Sequence, residues 1–117
     1  MAAAPIVFFD IAGPDLAAQR TFYADVFGWE SAPTGHVSAP VTPGQLGGFL
    51  RTDPADVLLY FGVQDVTATL AKITAAGGSI GAPRFEVKGV VVLGLFSDPA
   101  GNRLGLVEMD GDTPKIP

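Results

Sequence analysis

The chain repeats itself, and that repeat limits what it can fold into more than any other feature does. The stretch FFDIAGPDLAAQRTFYADVFGW, from Phe8 to Trp29, runs through an apolar segment, a Gly-Pro-Asp breaker, a helical pattern and a glycine stop. Leu58 to Ile80, LLYFGVQDVTATLAKITAAGGSI, follows the same order. Asp15 matches Asp65, Leu16 matches Val66, Ala18 matches Ala68 and Gly28 matches Gly78, all at one offset. A repeat of this length is one supersecondary unit that cannot bury its apolar face alone. Two such units need each other, and the surface between them is where function is to be sought.

Taken in order, Ile6 to Ile11 reads as a strand. Alternation puts Phe8 and Asp10 on one face and Val7, Phe9 and Ile11 on the other. An acid at Asp10 in an apolar run implies that its face is not dry core. Gly13-Pro14 breaks the strand, and Asp15 is placed to cap the helix that follows. Leu16, Gln19, Tyr23, Val26 and Phe27 fall at helical spacing with Phe22 beside them, so the helix is expected to lay an aromatic face on a sheet. Gly28 is the left-handed stop. Pro33, Gly35, Pro40 and Pro43 divide the next stretch into short strands near Trp29–Ala32, His36–Pro40 and Leu46–Leu50. Residues 51–56, RTDPAD, read as a polar linker.

Val57 to Val63 opens the second unit, with Leu58, Tyr60 and Gly62 on one face and Leu59, Phe61 and Val63 on the other. Asp65 caps a helix striped by Val66, Leu70 and Ile73 and stopped by Gly77-Gly78. Ile80–Phe85, Gly89–Phe96 and Arg103–Glu108 read as strands. Asp98-Pro99-Ala100-Gly101-Asn102 has the chemistry of a tight turn before the last of them. The order is β-α-β-β-β twice, an α+β fold of two βαβββ modules with one main helix each. One helix on one face of each four-stranded sheet leaves the other face open, and two open faces make a cup-shaped, half-open mixed β-sheet barrel. The expected organisation is a single domain over 1–117: module one about 5–50, linker 51–56, module two about 57–109, and a loose C-terminal tail.

Composition removes several function classes. Seven basic against twelve acidic residues, with a net charge of −5 and no basic run, argue against nucleic acid as a partner, and none is expected. The absence of cysteine excludes disulfides, thiolate zinc sites and cysteine nucleophiles. The amino-terminal MAAAP has no signal-peptide pattern, and no apolar run is long enough for a membrane span, so a cytoplasmic protein without a membrane partner is expected. No Gly-x-Ser-x-Gly, catalytic triad or phosphate loop is present.

The chain resembles the vicinal oxygen chelate superfamily, also called the glyoxalase, bleomycin-resistance and dioxygenase superfamily. The resemblance rests on FFDIAGPDLAAQRTFYADVFGW, YFGVQDVTATLAKITAAGG and LFSDPAGNRLGLVE, in that order, and covers Pro5 to Glu108. It implies paired βαβββ modules, a cup-shaped site and a homodimer. It also implies where a metal would be held: by a His seven residues before each capping Asp, a Glu after the Asp-Pro-x-Gly-Asn turn, and a fourth ligand near the end of module one. Those positions are Phe8, Leu58 and Gly105 here, with the fourth within Gly47-Gly48-Phe49-Leu50. None offers a ligating side chain, whereas divalent transition metals take imidazole, thiolate or carboxylate. The chain has one histidine, His36, which lies in the irregular stretch away from both mapped strands. No metal and no cofactor are therefore expected.

The cup is expected to be lined by Phe8, Asp10, Leu58, Tyr60 and Gly105, with Phe49 and Phe96 as additions. Apolar walls with one or two polar groups describe a site for a small apolar or aromatic molecule. Asp10 is either a general base or hydrogen-bond anchor in the cup, or a strand-face acid paired with arginine or water at the rim. His36 reads as a solvent-exposed bystander, Trp29 as a hydrophobic closure, Asp98 and Asn102 as turn chemistry, and Arg20 and Arg103 as surface ion-pair residues. The leading functional expectation is a metal-free small-molecule-binding protein, with no catalytic residue assigned. A metal-dependent lyase, isomerase or dioxygenase of the same superfamily is the alternative, and a dimeric scaffold without a ligand is the third.

Overall fold

Two aspartates set the pattern of the fold. Asp15 and Asp65 sit in extended backbone, and their carboxylates accept hydrogen bonds from the N–H groups of Ala18 (3.0 Å) and Ala68 (2.9 Å). Each bond satisfies an N–H that a helix start leaves without a partner and sets negative charge at its positive end. The helices so capped are α1 (Leu16–Phe27) and α2 (Val66–Ala75). Gly28 closes α1 in the left-handed region at φ 69°, where a side chain would be strained.

The computed structural model describes residues 3–39 and 47–117. With α1 go β1 (Ile6–Gly13), β2 (Glu30–Ser31), β3 (His36–Ala39) and β4 (Gly48–Thr52). With α2 go β5 (Asp56–Val63), β6 (Ser79–Val87), β7 (Val91–Ser97) and β8 (Arg103–Asp110), and a short β9 (Thr113–Pro114) follows. The class is α+β, with two βαβββ modules of mixed sheet. Of the strands expected in the irregular stretch, two touch Pro40 and Leu46, which lie outside the described residues.

The chain packs as two compact units, one over Val7–Leu59 and the other from Tyr60 to the C-terminus together with the N-terminal residues through Ile6. Strand order is β2-β3-β4-β1 in the first and β5-β8-β7-β6 in the second. In both, the opening strand pairs parallel with the last one and the remaining pairs are antiparallel. The repeat seen in sequence is thus a repeat in register. Asp10 pairs with Phe49 in one unit and Tyr60 pairs with Gly105 in the other, and Asp10 and Tyr60 stand the same distance before their capping aspartates.

Each helix covers one face of its sheet. Val66 and Leu70 of α2 bury against Leu106 of β8, with Phe61, Val63, Ile73 and Phe96 packed around them. Each fully buried aliphatic side chain contributes about 1.5–3 kcal/mol. Gly94 lets α2 approach, since a β-carbon there would stand 2.6 Å from Val66 Cγ1. In module one the ring of Phe9 covers Gly48 and meets Trp29 at 5.2 Å, and Trp29 stacks on Tyr23 of α1 at 4.8 Å. Trp29 is a hydrophobic closure, as its place after the helix stop implied.

Three expectations need correction. The aromatic face of α1 is not laid down as a stripe: α1 has no fully buried residue, and Phe22, Val26 and Phe27 are 52%, 58% and 59% exposed. Tyr23 of the helix stacks on Trp29, and Trp29 in turn meets Phe9. The linker is shorter than 51–56, because Arg51 and Thr52 belong to β4 and Asp56 begins β5. The tail is not loose: β9 pairs with β8 at Met109–Pro114 and Asp110–Thr113, and the Lys115 N–H donates to the Glu108 carbonyl at 2.9 Å.

Candidate functional site

The face of each sheet turned away from its helix carries most of the residues singled out from sequence. In module one, Phe8, Asp10 and Ala12 alternate with the residues that face α1. The parallel pairing sets Asp10 beside Phe49 and Ala12 beside Arg51, and the β3–β4 pairing sets His36 opposite Phe49. Residues paired directly across a sheet share a face. Asp10, Phe49 and His36 therefore form one row across three strands. His36 is not remote from the mapped strands, as its place in an irregular stretch had implied; it stands two strands from Asp10.

Asp10 is 8% exposed, and Arg51 Nε donates to its carboxylate at 2.7 Å. Arg51 also reaches Asp53 at 2.9 Å and Asp56 at 3.5 Å. Burial opposes the charge on Arg51, but the Asp53 hydrogen bond and the nearby Asp10 charge outweigh it and hold the guanidinium above its ordinary value. Between the two readings of Asp10, the structure supplies the arginine partner.

In module two, Leu58 and Tyr60 alternate with the residues that pack under α2, and both are buried. The ring of Tyr60 lies on Gly105, in the volume that a β-carbon at 105 would need. Here the two modules mirror each other in an exchanged sense. At the equivalent parallel pair, module one has an acid on its opening strand and a ring on its closing strand. Module two has a ring on its opening strand and no side chain on its closing strand.

Phe96 does not belong to this face. It packs with the Val66–Leu70–Leu106 cluster beneath α2, because its partner Leu104 alternates with Gly105. On the same helix-facing side lies an ion pair that sequence reasoning missed. Glu108, 4% exposed, accepts from the Val66 N–H at 2.9 Å and from Arg84 Nε and Nη2 at 3.1 and 3.0 Å. The Arg84 hydrogen bonds hold its carboxyl down to about 2 despite burial. This is a structural anchor that ties β6 and β8 to the start of α2. The one signal that could have found it is the signal that flagged Asp10, an acid inside an apolar strand, in Leu106-Val107-Glu108-Met109.

The other polar candidates have local roles. Asp98 accepts from the N–H groups of Ala100 (3.0 Å) and Asn102 (2.9 Å) and from Asn102 Nδ2 (2.8 Å), which is turn chemistry. Arg20 donates to Ser31 Oγ at 3.1 Å and to its carbonyl at 2.9 Å, fastening α1 to β2.

The residues at the chelating positions implied by the resemblance can now be tested for fit. Register selects Phe49 as the counterpart of Gly105, so the four positions hold Phe8, Phe49, Leu58 and Gly105. None has a nitrogen, oxygen or sulfur donor, and they do not fit a divalent metal ion. Among the described residues no group of three or more His, Asp or Glu could hold one. Among the described residues, too, no helix is long and apolar enough to cross a membrane.

A family model described as a glyoxalase-like domain matches residues 6–107. Among curated proteins, the anthracycline biosynthesis protein DnrV of Streptomyces peucetius is 27% identical over an alignment of 118 positions that covers 80% of this chain and 43% of that protein. The putative glyoxylase CFP32 of Mycobacterium bovis is 27% identical over 115, covering 83% and 42%. The chain spans less than half the length of these curated relatives. Among solved structures, methylmalonyl-CoA epimerase in complex with methylmalonyl-CoA and NH4+ matches with a TM-score of 0.71 at 19% identity, over 97% of this chain and 100% of that one. A glyoxalase/bleomycin resistance protein/dioxygenase superfamily member from Vibrio splendidus 12B01 matches with a TM-score of 0.61 at 15% identity, over 91% and 98%. At these identities the structural likeness shows the fold alone.

Proposed function

The chain belongs to the glyoxalase-like domain family, and from that premise we propose that it binds a small aromatic molecule without a metal ion. The observation that carries this reading is the Tyr60 ring seated on Gly105, where the resemblance implies a chelating carboxylate. A ring there gives up metal chemistry, and the half-buried rings of Phe8 and Phe49 are the stacking surface left on module one. On module one the residues assigned to ligand contact are Phe8, Asp10 and Phe49, and on the corresponding face of module two, taken by itself, they are Leu58, Tyr60 and Gly105. One curated relative is named for anthracycline biosynthesis, and anthracyclines carry planar aromatic ring systems, which is in keeping with such a ligand. The resemblance further supports proposing a cytoplasmic homodimer.

The test is a titration of purified, chelator-treated protein with two-ring and three-ring aromatic compounds, followed by thermal unfolding. A ligand at a hundredfold excess over its dissociation constant stabilises by about 2.7 kcal/mol. The reading expects such a shift without added metal, and expects Phe49→Ala to reduce it. Stabilisation that appears only after a divalent ion is added, or by no aromatic compound at all, would overturn it.

A further inference from the structure

We infer that the outer face of α1 is the contact between two copies of this chain, packed as an antiparallel helix pair about Phe22. The inference rests on the homodimer proposed above and names the surface that forms it.

Ala18, Phe22 and Val26 lie at i, i+4 and i+8 on one face of α1, and all three are exposed, with Phe27 exposed at the helix end. A helix at a protein surface ordinarily carries charged or polar side chains on its outer side. Among the exposed residues of α1 the only charged one is Asp25, since Arg20 is half-buried and turned to Ser31.

The second module serves as an internal control. At the offset that relates Asp15 to Asp65, Phe22, Val26 and Phe27 answer to Lys72, Ala76 and Gly77. Both modules cap a helix with aspartate and follow it with the same strand order. The fold therefore does not require large apolar side chains at these outer positions. Contiguous exposed apolar surface of this kind marks a contact with another molecule.

Area and charge point to a second copy. Phe22, Val26 and Phe27 are each more than half exposed and leave roughly 300 Å² of side-chain surface open. Two copies face to face withdraw about twice that from water before the flanking Ala17, Ala18 and Thr21 are counted, which places the pair at the weak, reversible end of specific interfaces. An antiparallel pair on a two-fold axis at Phe22 sets the small Ala18 of one copy level with Val26 of the other, so the side chains interdigitate. Asp25 stands level with the neutral Gln19, and the two Asp25 residues fall about 9 Å apart along the helices, so like charges do not meet.

The test is sedimentation from about 1 µM to about 300 µM, joined to thiol cross-linking. Wild type should pass from monomer to dimer over this range. Val26→Glu would bury two carboxylates in the contact and should stay monomeric, whereas Lys72→Glu, at the matching position of α2, should associate like wild type. Both sites are exposed, so the variants keep the fold, as circular dichroism will check. The chain has no cysteine, so an introduced thiol reports on its own site alone. Phe22→Cys, on the two-fold axis, should give a disulfide-linked dimer under mild oxidation, and Lys72→Cys should not. A dimer that persists in Val26→Glu, or equal cross-linking of the two cysteine variants, would overturn the inference while leaving a homodimer in place. A wild type that stays monomeric throughout would overturn both, and neither outcome bears on aromatic binding.

Discussion

The ring of Tyr60 fills the space that a β-carbon on Gly105 would occupy. Tyr60 takes the space that a side chain at 105 would fill. Replacing Gly105 by alanine forces the ring aside, and overpacking of this kind costs about 1–3 kcal/mol. Tyr60→Ala relieves the collision but leaves a gap. The double variant should therefore be more stable than the sum of the two single losses implies, by about 0.5 kcal/mol or more in denaturant unfolding. Strict additivity would mean that the two residues do not share this volume.

Glu108 makes stability depend on acid. Its folded value, about 2, lies below its ordinary 4.5. A carboxyl lowered on folding stabilises fully above its unfolded value, and that contribution drains away as pH falls through 4.5 toward 2. The size is at most about 3 kcal/mol. Arg84→Met removes the main cause of the shift and leaves the carboxylate under α2 without it. It should cost about 2 kcal/mol near neutrality, and its deficit relative to wild type should shrink as pH approaches 2. Urea midpoints across this range give the comparison.

Asp10 and Arg51 are asymmetric partners. Asp10→Asn leaves Arg51 with Asp53 and Asp56, and should cost about 1 kcal/mol. Arg51→Met takes the guanidinium from three carboxylates at once, one of them buried, and should cost about 2–3 kcal/mol. Chemical denaturation of both variants tests the order; equal losses would mean that Asp53 and Asp56 add nothing.

Gly35→Ala should destabilise by about 2 kcal/mol or more, since it combines a positive φ with a collision at the Leu50 carbonyl. An unchanged denaturant midpoint would mean that neither the positive φ nor the close approach constrains this position.

Much of this was legible in the chain. Asp15 and Asp65 announced the caps, Gly28 the stop, and the offset between the halves announced two like modules, because these features act within a few residues of backbone. The ion pairs were not legible. Arg51 finds Asp10 and Arg84 finds Glu108 only once strands far apart in sequence are set side by side. Phe96 was placed on the wrong face because Val91-Val92-Leu93-Gly94-Leu95-Phe96 is apolar throughout, so alternation carries no signal there. His36 looked remote because prolines obscured β3, and only the pairing with β4 shows that it shares a row with Asp10.

The central claim is that groups unable to ligate occupy Phe8, Phe49, Leu58 and Gly105. The most direct measurement is the metal content of untagged protein, expressed in medium supplemented with zinc, nickel, manganese and iron and then dialysed. The prediction is no divalent ion in stoichiometric amount. One equivalent retained through dialysis would contradict it.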